Sequence, residues 1–230
     1  MKPGKGKRAG GAKDGTQGVG IYVYCIIRCP EVMKSFGKVG FGGEEVYTIE
    51  HKDFAPVVSN AIMKEYNVDE EDIEVHKAVV SEVMKEHTVL PVAYGMVFKN
   101  KKLLAVSMKA GNKAMKKAIK SVDNKVELGV KVVLPKDARD LDGKADQCKS
   151  DFVEALNCIA AETKPLKLFS DRLILNSSFL VDSGRVDDFS NAVGKLAEEY
   201  SVLKVQYSGP WPPYNFVDIQ ILGNKRGGFR

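Results

Sequence analysis

The sequence predicts an α+β protein of two folded units joined by a helical linker, and three observations carry that reading. Val19 to Ile27 is a run of β-branched and tyrosine residues, apolar on both faces, as a buried central strand requires. Further along, apolar side chains recur at helical spacing in several stretches that alternate with strand-like runs. A polar stretch from Pro135 to Gly143 then divides the chain into two such series.

The elements run in order. After the first strand, Pro30 ends the ladder, and a glycine-rich loop from Phe36 to Gly43 leads to a second strand, Glu44 to His51. Asp53 reads as an N-cap for a helix with Phe54, Val57, Val58, Ala61 and Ile62 on one stripe and Pro56 in its first turn. A second helix is expected over Asp69 to Glu86, with Ile73, His76, Val80, Val83, Met84 and His87 along one side. Thr88 to Phe98 reads as a strand. Lys101 to Lys120 reads as a helix with Leu103, Ser107, Ala110, Ala114 and Ala118 inward, and Val126 to Leu134 as the next strand. The order β-β-α-α-β-α-β describes a ferredoxin-like variant with helices on one face of a small sheet.

In the second series, Gln147 to Glu162 is amphipathic, with Phe152, Ala155, Leu156 and Ile159 inward. A strand from Leu173 to Val181 feeds a helix with the stripe Val186, Phe189, Val193, Leu196 and Tyr200. Strands at Val202 to Tyr207 and Phe216 to Leu222 complete a second α+β unit, a modified ferredoxin-like arrangement. The expected organisation is therefore a disordered basic tail at 1–18, a ferredoxin-like domain at 19–135, a linker and helix at 136–169, an α+β domain at 170–222 and a basic tail at 223–230.

Composition and charge narrow the function. No apolar run approaches the ~18 residues of a membrane span. The glycine-rich N-terminus lacks the apolar stretch of a secretory signal, so a cytoplasmic protein is expected. Of the net charge of +5, the tail 1–18 carries +4 and the tail 223–230 carries +3, which leaves about −2 for 19–222. A core of that sign is a poor nucleic-acid surface. The four cysteines and three histidines show no metal-ligand spacing.

Catalytic readings fail on spacing. Gly37 to Gly43 is followed by a strand, whereas a phosphate loop opens a helix, so the glycines read as hairpin turns. No G-x-S-x-G is present, His76 and His87 sit beside an apolar helix face, and the acidic pairs are adjacent in sequence rather than convergent. No enzyme, cofactor or metal is expected.

The segment Ser208 to Val217 stands apart. It sets Trp211, the only tryptophan, between prolines, with Tyr207, Tyr214 and Phe216 close by, directly after a strand. Two readings remain open: a rigid corner that packs Trp211 onto its own core, or a patch that binds a partner.

At this motif the chain resembles the gas vesicle protein family of the F/L type. The resemblance rests on the blocks Ile21-Tyr22-Val23-Tyr24-Cys25-Ile26-Ile27, Thr88 to Gly95, Val126-Glu127-Leu128-Gly129-Val130-Lys131-Val132, Leu175 to Val181, and Gly209-Pro210-Trp211-Pro212-Pro213-Tyr214-Asn215-Phe216-Val217. It implies two domains and a minor or accessory role in gas vesicle formation, with the major shell protein and other accessory proteins as partners, and no catalytic residue or cofactor. Contact is expected through Trp211, Tyr214, Tyr207 and Phe216, and through an apolar edge strand near Tyr22 and Tyr24. The alternatives are a small-molecule-binding regulatory protein and, behind it, an RNA-binding protein.

Overall fold

A computed structural model describes residues 18–64, 66, 70–136 and 145–219. The expected tails 1–18 and 223–230 therefore lie outside the described residues, Gly18 apart. The first strand, β1, is Val19–Arg28, with every residue from Gly20 to Ile27 buried. It pairs antiparallel along its whole length with Phe54–Ile62, the segment whose apolar spacing suggests a helix. That expectation is corrected. Phe54, Val57, Val58 and Ala61 fit a helical stripe only because the segment is apolar on both faces, and nine residues rich in branched side chains suit a doubly covered strand better.

The remaining strands of the first sheet are short: β2 Ser35–Gly37, β3 Val46–Thr48, β4 the Phe54–Ile62 strand, β5 Leu90–Pro91 and β6 Val97–Phe98. Their order is β2-β3-β4-β1-β5, with β6 also on β1. Thr88 to Phe98 is thus two strand fragments rather than one. Between them the chain leaves the ladder at a turn where Gly95 takes φ +79°.

Helix α1, Glu70–Met84, and helix α2, Lys101–Ser121, cover opposite faces of this sheet, not one. Val79, Val80 and Val83 of α1 pack with Tyr22, Tyr24, Cys25 and Ile27. Leu104, Met108, Met115 and Ile119 of α2 pack with Ile21, Val23 and Ile26. The α2 stripe is therefore displaced from the expected one: Leu103 lies outward, and of the expected inward residues only Ser107 is fully buried. A β-bulge explains the β1 faces, since pairing steps from Val23 opposite Val58 to Cys25 opposite Val57 and leaves Tyr24 as the extra residue.

The second sheet is built from β7 Lys125–Val133, β8 Glu162–Pro165, β9 Leu173–Asp182 and β10 Lys204–Trp211, with α3 Ala145–Asn157 and α4 Val186–Glu199 between them. The chain order is β-α-β-β-α-β and the spatial order β10-β7-β9-β8, all antiparallel, which is the ferredoxin-like pattern. Strand β7 opens this unit; it does not close the first sheet as the element order predicts. Its partners β9 and β10 supply nine and six paired residues. Helices α3 and α4 cover one face through Phe152, Leu156, Phe189 and Val193.

On the other face, Leu180 of β9 joins Phe216, Val217 and Ile219 in the core beneath α2. The expected strand at Phe216 to Leu222 is absent as far as Ile219, and the rest of that segment lies outside the described residues. Its apolar side chains fill the junction between the two units instead.

Candidate partner-binding site

The site is the chain that leaves β10. Pairing with β7 shifts between Ser208 and Trp211, because Gly209 and Pro210 bulge away from the ladder through a cis peptide bond. Gly209 takes φ +116°, and a Cβ there would lie 2.8 Å from the Glu127 carbonyl, so only glycine fits.

Glu127 anchors the chain beyond this bulge. The residue is 5% exposed, and its carboxylate accepts hydrogen bonds from Ser178 Oγ at 2.8 Å, from the Asn215 backbone N–H at 2.8 Å and from the Asn215 side-chain amide. Lys164 Nζ donates to the Asn215 carbonyl at 2.8 Å. Two local turns close the segment, from Tyr214 N–H to the Pro212 carbonyl and from Phe216 N–H to the Pro213 carbonyl. Pro212, Pro213 and Phe216 are buried by this arrangement, while Trp211 and Tyr214 stay 44% and 39% exposed. Trp211, Pro212 and Tyr214 face Lys77 and Ser81 of α1 across a cavity of about 190 Å³, close to the volume of one large apolar side chain. Burial raises the Tyr214 hydroxyl above its ordinary pKa, so it stays a neutral phenol on the cavity wall.

The residues expected from sequence divide into three groups. Trp211 and Tyr214 share the exposed face. Tyr207 is half-buried against Phe189, 6.2 Å between ring centres, and Phe216 belongs to the core. Tyr22 and Tyr24 are fully buried, and β1 lies inside the sheet rather than at its edge, so the expectation of a contact strand there is corrected. The two tyrosines form an aromatic cluster with Phe41, Tyr66, His76 and Tyr94. Tyr22 Oη meets His76 Nδ1 at 2.9 Å and accepts the Gly95 N–H; Tyr24 Oη meets Ser59 Oγ and accepts the Phe41 N–H. Burial lowers His76 to about 4, which keeps it neutral. Beside the Trp211 segment, β10 is an edge strand whose outer side has no strand partner among the described residues. Sequence reasoning misses Glu127, whose one signal is a single acid in a largely apolar strand.

The family model for the gas vesicle synthesis protein GvpL/GvpF matches residues 20–141 and 137–218. The chain belongs to the GvpL/GvpF family. It is 35% identical over 213 residues to gas vesicle protein F1 of Halobacterium salinarum, covering 91% of this chain and 98% of that one. It is 34% identical over 212 residues to gas vesicle protein F of Haloferax mediterranei, with 90% and 98% covered. Crystal structures of GvpF from Anabaena and from Microcystis aeruginosa have the same fold, at TM-scores of 0.76 and 0.72 and 18% and 19% identity. The former covers 87% of this chain and 98% of its own, the latter 86% and 99%. A GvpL/GvpF chain has a role in gas vesicles, and in this one no helix among the described residues is long and apolar enough to cross a membrane.

Proposed function

We propose that this GvpL/GvpF chain is an accessory or minor structural protein of the gas vesicle that binds the hydrophobic shell protein and supports nucleation and assembly, acting in the cytoplasm and at the vesicle alongside other accessory proteins. It works by binding, not by catalysis. A wall that is wet on one side and dry on the other needs subunits with an apolar face, and such a face aggregates unless it is held until assembly. The observation that carries the reading is the Trp211 and Tyr214 pair, exposed but fixed in place by Glu127 and Asn215, beside a one-side-chain cavity and at the end of an open sheet edge. Such a surface suits an extended apolar segment: the edge of β10 offers backbone hydrogen bonds and the cavity takes an anchoring side chain.

The test is a pull-down of the shell subunit by the full chain and by W211A/Y214A. Truncation of an aromatic anchor costs about 2 kcal/mol or more, about 30-fold in affinity. Loss of both should weaken capture by on the order of a thousandfold if they act independently and by at least about 30-fold if they act as a unit. Undiminished capture by the folded variant refutes the assignment.

A further inference from the structure

Helix α2 carries a second surface, unrelated in position and chemistry to the Trp211 face. Within Lys101–Ser121 there are seven lysines and no acid. All seven, Lys101, Lys102, Lys109, Lys113, Lys116, Lys117 and Lys120, are exposed. Lys116 pairs with Asp53 at 2.7 Å, and the other six have no ion-pair partner among the described residues. The arrangement is electrostatically unfavourable for the isolated chain. Lys101 and Lys102 occupy the first turn, where the helix dipole disfavours cations, and no acid is there to offset them. Lys109 and Lys113, Lys113 and Lys117, and Lys116 and Lys120 are like-charge pairs four residues apart. Local rules broken without internal compensation point to a function met from outside.

The lysines are also ordered. Lys102, Lys109, Lys113, Lys116 and Lys120 advance by steps of seven, four, three and four, which keeps them on one line along the helix. Beside it runs a second line, Leu103, Val106, Ala110 and Ala114, again at steps of three, four and four. These apolar residues are exposed, Leu103 at 48% and Val106 at 60%. Their inner counterparts Leu104, Met108, Met115 and Ile119 already fill the core, so the outer line has no core-packing role among the described residues.

We infer that the outer face of α2 docks an acidic amphipathic helix of a partner protein, whose apolar stripe lies on Leu103, Val106, Ala110 and Ala114 while its acidic flank meets the lysine line. Two alanines in the stripe let a second helix approach closely, and they give too little apolar depth for insertion into a bilayer. A duplex or single strand needs no apolar line next to its phosphate contacts and finds no exposed aromatic ring on this helix. A second copy is a weaker match. The acidic helices of this chain are α1 and α4. In α1, Asp72, Glu74 and Glu82 already pair with Lys64, Lys77 and Lys85. In α4, Asp188 pairs with Arg185, and the apolar stripe Phe189, Val193 and Leu196 already packs into its own core.

The experiment titrates the full chain with a labelled 21-residue helical peptide bearing leucine or alanine on a heptad stripe and glutamate on the flanking positions, followed by fluorescence anisotropy. Binding is expected, weakened at least tenfold in K109E/K113E/K120E, at least tenfold in V106E, and also between about 50 and about 500 mM NaCl, where charge pairs are screened. The control K38E/K195E, with reversals elsewhere on the surface, should bind as the parent does, and circular dichroism verifies that each variant is folded. Failure of the peptide to bind, or binding indifferent to the α2 reversals, overturns the inference. So does equal, α2-dependent binding of phosphatidylglycerol vesicles or of single-stranded DNA, which reassigns the face to lipid or nucleic acid. Salt-sensitive self-association in sedimentation without peptide binding overturns it in favour of a second copy. None of these results bears on capture through Trp211.

Discussion

Replacing Glu127 with alanine should loosen the Trp211 segment and destabilise the protein together. The carboxylate accepts from Ser178 Oγ and from both the backbone and side-chain amides of Asn215, and all three bonds are lost in E127A, with the Asn215 side-chain amide keeping only Ser178 Oγ at 3.1 Å. Hydrogen bonds to a charged acceptor contribute ~1.5–3 kcal/mol each, a gross loss of ~5–9 kcal/mol. Against that stands the cost of holding the carboxylate of a residue only 5% exposed with no ion pair among the described residues, several kcal/mol that the variant recovers. The net loss is about 3 kcal/mol, or a Tm lowered by ~6–12 °C in a chain of this length.

The assay needs no label, because Trp211 is the sole tryptophan and lies directly opposite Glu127 in the β7–β10 pairing, just past the bulge. Tryptophan emission and its quenching by acrylamide report on the segment, and far-UV circular dichroism reports on the fold. E127A should show increased quenching at temperatures where the circular dichroism is still native. E127Q, which keeps one acceptor oxygen, should fall between. A Tm within about 1 °C of the parent, a shift worth less than ~0.5 kcal/mol, with unchanged quenching would refute the claim that Glu127 holds the segment.

Two further outcomes are expected from the same geometry. His76 is held neutral, at about 4 against ~6.5 when unfolded, so its native environment is fully favourable above ~6.5 and is lost as pH falls toward 4, a penalty of roughly 3 kcal/mol. Urea midpoints at pH 7.5 and 4.5 should therefore drop further for the parent than for H76Q; equal drops refute it. G209A forces a Cβ onto the Glu127 carbonyl at a positive φ and should cost ~2 kcal/mol or more by urea denaturation, whereas G194A, in open space on α4, should be neutral or slightly stabilising.

Features set by neighbours along the chain are legible without the structure. The both-face apolarity of Val19 to Ile27 marked β1, the periodicity of 70–84 and 186–199 marked α1 and α4, and the proline-flanked tryptophan marked the segment that reaches the surface. Spacing could not tell a helix from a strand over Phe54 to Ile62, because a short run covered on both faces satisfies either period, and only the ladder with β1 decided it. Nor could it assign β7 to a sheet, since an antiparallel strand carries no mark of which neighbours it will meet. Exposure was likewise a tertiary matter: Tyr22 and Tyr24 have the same chemistry as Tyr214, but helix α1 closes over them, while the bulge at Gly209 and the buried Glu127 hold Tyr214 and Trp211 outward. Periodicity is a property of neighbours along the chain, and burial is decided by elements far away in sequence that pack on top.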